Sequence, residues 1–293
     1  MIVAIASGKG GTGKTTVATN LALSLSAPVQ LLDCDVEEPN CAIFVDPTLG
    51  PAESVGIPVP RVDETLCTAC GECGRFCRYH AIVSFKTVPL VFPELCHGCG
   101  GCARVCPTGA IREEHRALGT IEEGAAGSVD FLQGQLNVGE AMPVPLIRAL
   151  KKKVRDVGMV ILDCPPGTSC PVISAMRGSH FVVLVTEPTP FGLNDLRLAV
   201  ETVRALSLRF GVVINRADVG DAGVRRYCEE QSIPILLEIP DDRRIAEAYS
   251  RGQPAVEALP DMRSLFMDLG ARIEAEGEGR RAATNPLESR PDA

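Results

Sequence analysis

Eight of the thirteen cysteines in this 293-residue chain fall into two runs with a single spacing. Cys67, Cys70, Cys73 and Cys77 read C-x2-C-x2-C-x3-C, and Cys96, Cys99, Cys102 and Cys106 repeat it. Three closely spaced thiolates can hold three iron corners of one four-iron, four-sulfur cubane, while the fourth lies too far round the turn and ligates a second cubane. The spacing therefore predicts one [4Fe-4S] cluster on Cys67, Cys70, Cys73 and Cys106, and another on Cys96, Cys99, Cys102 and Cys77. Zinc is the competing reading, although zinc sites usually pair two C-x-x-C halves rather than a triplet plus one. A disulfide framework fits poorly, because such frameworks belong to short chains with a secretory leader and the N-terminus lacks a basic region before its short apolar stretch.

A second chemistry sits near the N-terminus. Gly8-Lys9-Gly10-Gly11-Thr12-Gly13-Lys14-Thr15 fits G-x-x-x-x-G-K-[ST] and follows the apolar run Ile2 to Ala6, where such a loop must join a strand to a helix. Gly10, Gly11, Thr12 and Gly13 can curl their backbone N–H groups around phosphate oxygens, and the helix that starts through Lys14, Thr15 and Thr16 adds its positive end. Lys14 is expected to reach the β- and γ-phosphates of ATP, and the Thr15 hydroxyl to bind Mg²⁺.

The elements needed to position these groups are visible as alternating patterns. Ile2 to Ala6, Val29 to Asp33, Met159 to Asp163, Phe181 to Thr186, Gly211 to Asn215 and Ile235 to Ile239 read as strands. Thr15 to Ser26, Asn194 to Leu206 and Val224 to Gln231 read as helices. Continuous Val, Ile and Leu runs require cover on both faces, so the expected fold is α/β: a mostly parallel sheet with helices on both sides. The rhythm breaks between residues 58 and 116, where Pro, Gly and Cys dominate. A shift of 29 (96 minus 67) maps one cysteine run onto the other and carries Gly71 to Gly100, Arg75 to Arg104, and Ala81-Ile82 to Ala110-Ile111. The expected organisation is a discontinuous nucleotide domain at 1–57 and 117–273, an inserted small α+β domain at 58–116, and a polar disordered tail at 274–293.

With these residues in view, two resemblances become specific. Lys9 to Thr16, KGGTGKTT, resembles the deviant Walker A loop of the MinD, ParA and nitrogenase iron protein class of P-loop ATPases. In that class the early lysine crosses a dimer interface to the partner's nucleotide, which implies an ATP-sandwich homodimer with Lys9 in that role. The resemblance further implies that Asp35 orients the attacking water, with Asp33 near the metal; that Asp163 lies near Mg²⁺ and Gly167 beside the γ-phosphate; that Asn215 reads adenine; and that Pro240-Asp241 closes over the base. The insert resembles bacterial two-cluster ferredoxins over its full length, except that Arg78 stands where a proline is expected after the fourth cysteine. The expected effect of Arg78 is either a looser turn or a positive charge that shifts the potential of a neighbouring cluster.

Together these features resemble MinD-superfamily ATPases with an inserted ferredoxin domain, sometimes encoded near the orange protein of anaerobic bacteria. The implied activity is an Mg-dependent ATPase coupling nucleotide state to electron transfer. The implied partners are a related ferredoxin-ATPase paralogue or a redox protein such as the orange protein. A positioning ATPase with redox-sensing clusters and an Mrp-like cluster carrier remain as alternatives. Cys170 lies at the offset from Asp163 where nitrogenase iron proteins carry a bridging-cluster ligand, but no cysteine occurs between Cys106 and Cys164, so such a cluster would lack half its ligands. Cys34, Cys41, Cys164 and Cys228 read as core thiols, and His97 as a neighbour that tunes a cluster. The net charge of −8 disfavours nucleic acid. No apolar run is long enough to cross a bilayer and the C-terminal segment lacks an amphipathic face, so the expected setting is the reducing cytoplasm.

Overall fold

In this computed structural model residues 1–278 are described. The chain begins with β1 (Ile2–Ala6), α1 (Lys14–Ser24), β2 (Val29–Asp33), α2 (Cys41–Val45) and β3 (Thr48–Leu49). It continues through β4 (Glu53–Val62), α3 (Glu72–Phe76), β5 (Ile82–Val83), β6 (Leu90–Val91) and α4 (Gly101–Arg104), then along β7 (Ile111–Ala126) and β8 (Val129–Leu136). There follow α5 (Pro143–Lys151), β9 (Met159–Asp163), α6 (Cys170–Met176), β10 (Phe181–Thr186), α7 (Pro190–Ala205), β11 (Phe210–Asn215) and α8 (Gly223–Glu230). The last elements are β12 (Ile235–Ile239), α9 (Arg243–Ser250), α10 (Ala255–Ala258) and α11 (Pro260–Glu278).

The main sheet runs in the order β12-β11-β10-β1-β9-β2-β8-β7-β3, with β4 paired to β7. From β12 to β8 every neighbouring pair is parallel. β2, β9 and β10 are buried along their whole length, as strands covered on both faces must be. The core packs Val17, Ala18 and Leu21 of α1 and Phe266, Leu269 and Ile273 of α11 with Val3, Leu31 and Ile161 of the sheet. Register then sets the site: Asp33 pairs with Asp163 across β2 and β9, and Ile5 of β1 pairs with Asp163 on its other side. Three strands thus deliver their carboxyl ends to one place, where ligands of open α/β sheets bind.

Backbone contacts divide the chain into two units. The first comprises residues 1–52, 121–135 and 147 onward; the second comprises Glu53–Thr120 and Leu136–Leu146. The second unit therefore includes residues 53–57, 117–120 and 136–146, which the sequence pattern assigned to the nucleotide domain. β8, parallel to β2, was not legible as a strand. Helix α11 continues through Glu278, so residues 274–278 are helical rather than part of a tail, and the remainder of the expected tail, 279–293, lies outside the described residues.

Within the second unit the 29-residue repeat is structural. α3 follows Gly71 at φ 80 and α4 follows Gly100 at φ 69, both left-handed caps. Ala81 and Ile82 are buried, as are Ala110 and Ile111. The Phe92 N–H donates to the Ala81 carbonyl at 2.8 Å, and the Asp63 N–H donates to the Ala110 carbonyl at 2.7 Å. Adding 29 to 63 and 81 gives 92 and 110, so each half bonds to the other half's equivalent.

Candidate functional site

Two sites are built, one in each unit. In the first, the loop after β1 turns into α1 through Gly13 at φ 95. A Cβ at Gly13 would meet Asn215 Nδ2 at 2.4 Å, so glycine is needed here both for the backbone turn and for space. Asn215 Nδ2 donates to the Thr12 carbonyl at 2.9 Å, which joins the end of β11 to the loop. Gly10 lies near Pro166, Gly11 is left-handed at φ 78, and Gly167, at φ 95, donates its N–H to the Ser7 carbonyl at 3.0 Å. The Thr16 carbonyl accepts from Asn20 Nδ2 at 2.7 Å. Pro240 and Asp241 follow β12; Asp241 donates its N–H to Asp218 at 2.6 Å, and its carboxylate lies 3.7 Å from Arg216.

The polar centre lies beneath this loop. Thr15 Oγ1 donates to Asp163 Oδ2 at 2.7 Å. Asp33 Oδ2 accepts the N–H groups of Asn40 at 2.8 Å and Cys41 at 2.9 Å, and Asp33 Oδ1 accepts from the Asp35 N–H at 3.1 Å. Cys41 Sγ donates to Asp163 Oδ2 at 3.3 Å. One ligand atom each from Asp33, Cys41 and Asp163 lie within 4.8 Å of one another. Burial, followed by repulsion from Asp163, pushes Asp33 up to about 7. Burial likewise pushes Asp35 up to about 6 and raises Asp163. Buried carboxylates facing each other call for a cation. Asp163 Oδ1 and Thr12 Oγ1 are buried with no hydrogen-bond partner among the described residues, and Lys14 is buried. The donor set fits a divalent cation with phosphate oxygens beside it.

Lys9 is turned inward to its own chain. Its ammonium lies 3.6 Å from Glu187, the residue after β10, and Arg216 holds the same carboxylate at 2.9 Å. Neither Glu187 nor Cys41 was singled out as a site residue in the sequence; their only signal was proximity in the chain to Thr186 at a strand end and to Asp33.

In the second unit the cysteines sort into two cavities. Cys77 lines one with Cys96, Cys99 and Cys102. Cys106 lines the other with Cys67, Cys70 and Cys73. Each fourth cysteine thus sits with the other run's triplet. Pro58, Pro60, Ala81 and Ile82 make the first cavity largely apolar, and the exposed Tyr79 stacks on His97 at its edge with ring centroids 3.8 Å apart. At the second, Cys106 Sγ accepts the Ala110 N–H at 3.3 Å. Partial burial pushes the Cys106 thiol up, but hydrogen bonds from Thr108 and Ala110 outweigh it and leave the thiol below its ordinary value. Outside the cavities Cys34, Cys41, Cys164 and Cys228 are buried and Cys170 is exposed.

The CobQ/CobB/MinD/ParA nucleotide binding domain matches residues 3–255. The chain belongs to that family. An uncharacterized protein of Methanocaldococcus jannaschii is 30% identical to this family member over 261 residues, covering 86% of this chain and 90% of its own. An iron-sulfur cluster carrier protein of Pyrococcus horikoshii is 24% identical over 312 residues, covering 94% and 88%. The fold is similar to that of the septum site-determining protein MinD of Pyrococcus horikoshii in complex with Mg-ADP, with a TM-score of 0.56 at 21% identity over 94% of this chain and 96% of that one. Among the described residues of this MinD/ParA-family chain, no helix is long and apolar enough to cross a membrane.

Proposed function

We propose that this chain is a homodimeric, Mg-dependent ATPase whose second unit carries two [4Fe-4S] clusters, with nucleotide state coupled to electron transfer to a partner protein. The observation that carries the reading is the sorting of eight cysteines into two four-thiol cavities, with Cys77 and Cys106 exchanged between the runs. Among the described residues, the three-donor group within 4.8 Å is Asp33, Cys41 and Asp163, and it contains no cavity cysteine. A zinc ion with Zn–S bonds of about 2.3 Å needs its sulfurs roughly 3.8 Å apart, whereas a cubane holds each sulfur at a separate iron corner. Two sets of a triplet plus one crossed-over cysteine favour the cubane. When bound, the clusters supply one-electron storage and transfer.

The chain's own residues divide the nucleotide work. Backbone N–H groups from Gly10 to Thr16 and the Lys14 ammonium bind the phosphates. Thr15, Asp163 and Asp33 hold Mg²⁺, and Gly167 meets the γ-phosphate. Asp35 orients the attacking water, and Lys9 completes the partner's site. Asn215, Pro240 and Asp241 frame the base. The chain leaves the first unit at Ala52, soon after the Asp33 to Asp35 segment, and this connectivity underlies the proposed coupling.

Anaerobic iron and sulfide analysis with EPR, run with and without MgATP, tests the proposal. About eight irons per chain are expected, together with cluster potentials that shift when MgATP is added. Zinc in place of iron would refute the clusters, and potentials identical in the two conditions would refute the coupling. Similarity to iron-sulfur cluster carrier proteins supports a second reading, cluster donation. Transfer of labelled iron to an apo-acceptor would favour it over electron transfer.

A further inference from the structure

Lys9, Glu187 and Arg216 form an arrangement that phosphate binding alone does not require. The Glu187 side chain is only 12% exposed and accepts two cations, Lys9 at 3.6 Å and Arg216 at 2.9 Å. Its backbone is fixed: the Glu187 carbonyl accepts from the Thr189 N–H at 2.8 Å, and a Cβ on Gly192 would lie 2.2 Å from that same oxygen. A carboxylate pinned this way has little freedom to follow Lys9 if Lys9 leaves. Arg216 is constrained as well. It stands in the left-handed region at φ 52, its N–H donates to Asn215 Oδ1 at 3.1 Å, and its guanidinium lies 3.7 Å from Asp241. A non-glycine residue held at that φ costs free energy, and the surrounding contacts must over-determine it.

We propose that Glu187 is a cis latch for Lys9, holding it at home in the nucleotide-free chain so that dimerisation must compete with this ion pair, and that Arg216 sets the strength of the latch. This rests on the reading of Lys9 as the residue that crosses to the partner. The physical reason is the shared carboxylate. When Lys9 swings out toward a partner's phosphates, Glu187 keeps Arg216, so no half-buried charge is orphaned and release is cheap. Without Arg216 the same carboxylate would have Lys9 as its remaining cation and would grip it harder. Because Arg216 follows Asn215 and faces Asp241, occupancy of the base site can bias its position and hence the latch.

The two substitutions have opposite expected signs. Glu187→Gln lowers the concentration of a slowly hydrolysed ATP analogue needed for half-maximal dimerisation, by about 3- to 10-fold for a partly exposed ion pair. Arg216→Ala raises it. The double variant behaves like Glu187→Gln alone, since Arg216 acts through Glu187. Sedimentation or light scattering reads the dimer. Independently of dimerisation, mass spectrometry of the nucleotide-free protein after amine acylation should show Lys9 labelling faster in Glu187→Gln than in the parent, relative to the other lysines. The latch is refuted if Glu187→Gln changes neither quantity, if it abolishes dimerisation (which would place Glu187 at the interface itself), or if the double variant follows Arg216→Ala. A parent protein that stays monomeric with nucleotide would instead refute the sandwich reading, and Lys9 acylation would still decide the latch.

Discussion

The two units solve the problem of building a site in opposite ways. In the first, the ligand-bearing residues sit at the ends of strands that are already stable. β2, β9 and β10 have no exposed residue, and the nucleotide centre is a polar end of a large apolar core. In the second, the elements are short and the apolar clusters are small, such as Ile57, Val59, Ala81 and Leu118 with Cys96, or Ile82 and Ile111 with Cys73. Five of the eight cavity cysteines, Cys73, Cys77, Cys96, Cys102 and Cys106, belong to those clusters or pack against them, while Phe76, Tyr79, Phe85, Phe92 and Leu95 remain exposed. On the proposed reading, a scaffold that thin draws part of its folding free energy from the clusters it would hold. On that reading one site is held by its fold, whereas the other holds its fold together.

Breaking this contrast is most direct at a cysteine. Cys99→Ala should reduce iron from about eight to about four per chain and sharply increase proteolysis between residues 53 and 120, with nucleotide binding retained. Cys170→Ala, outside both cavities, should leave iron unchanged. Equal loss of nucleotide binding in Cys99→Ala would show that the units do not differ as described.

A core substitution in the first unit should do the reverse. Ile161 is fully buried in β9, and Ile161→Ala should cost about 2–5 kcal/mol in denaturant unfolding through lost contacts and a cavity, while iron content per folded chain stays the same. A fall in iron would mean that the second unit relies on the first.

The smallest expected effect is on pH, and it sharpens the account of the nucleotide centre. Burial raises Asp33 to about 7 and Asp35 to about 6, both above their ordinary value. A carboxyl group that is easier to protonate when folded contributes stability at low pH, which is lost as pH climbs through the folded pKa. Without Mg²⁺ and nucleotide, the melting temperature of the first unit should therefore decline as pH rises above the ordinary carboxyl value of 3.8, and level off as pH passes about 6 and then about 7. MgATP should flatten that decline, because the cation pairs with the ionised pair. A slope unchanged by MgATP would remove the cation from this site.

Much of this was legible one residue at a time. The glycine loop could be read because it is local: a strand, a turn that needs Gly13, and a helix start lie within a few residues. The cysteine runs could be read because their repeated C-x2-C-x2-C-x3-C spacing lies within the chain itself. Buried parallel strands advertised themselves as continuous Val, Ile and Leu runs, and Met159 to Asp163 and Phe181 to Thr186 have the bounds their apolar runs implied. β7 was not legible, because its first half, IREEHRALG, carries four charged residues and a histidine and lacks the apolar continuity that marks a central strand.

Residue order alone set the chemistry available: a phosphate-binding loop, two sets of four thiols, and strands that had to be covered on both faces. Tertiary structure alone decided which distant groups meet. Cys41 reaches Asp163 across 122 positions, and Glu187 takes hold of Lys9, because parallel strands adjacent in the sheet come from distant parts of the chain. Their register, set by core packing, brings those strand ends together. Local spacing carries no record of that register, so the latch on Lys9 could only be seen once the strands were in place.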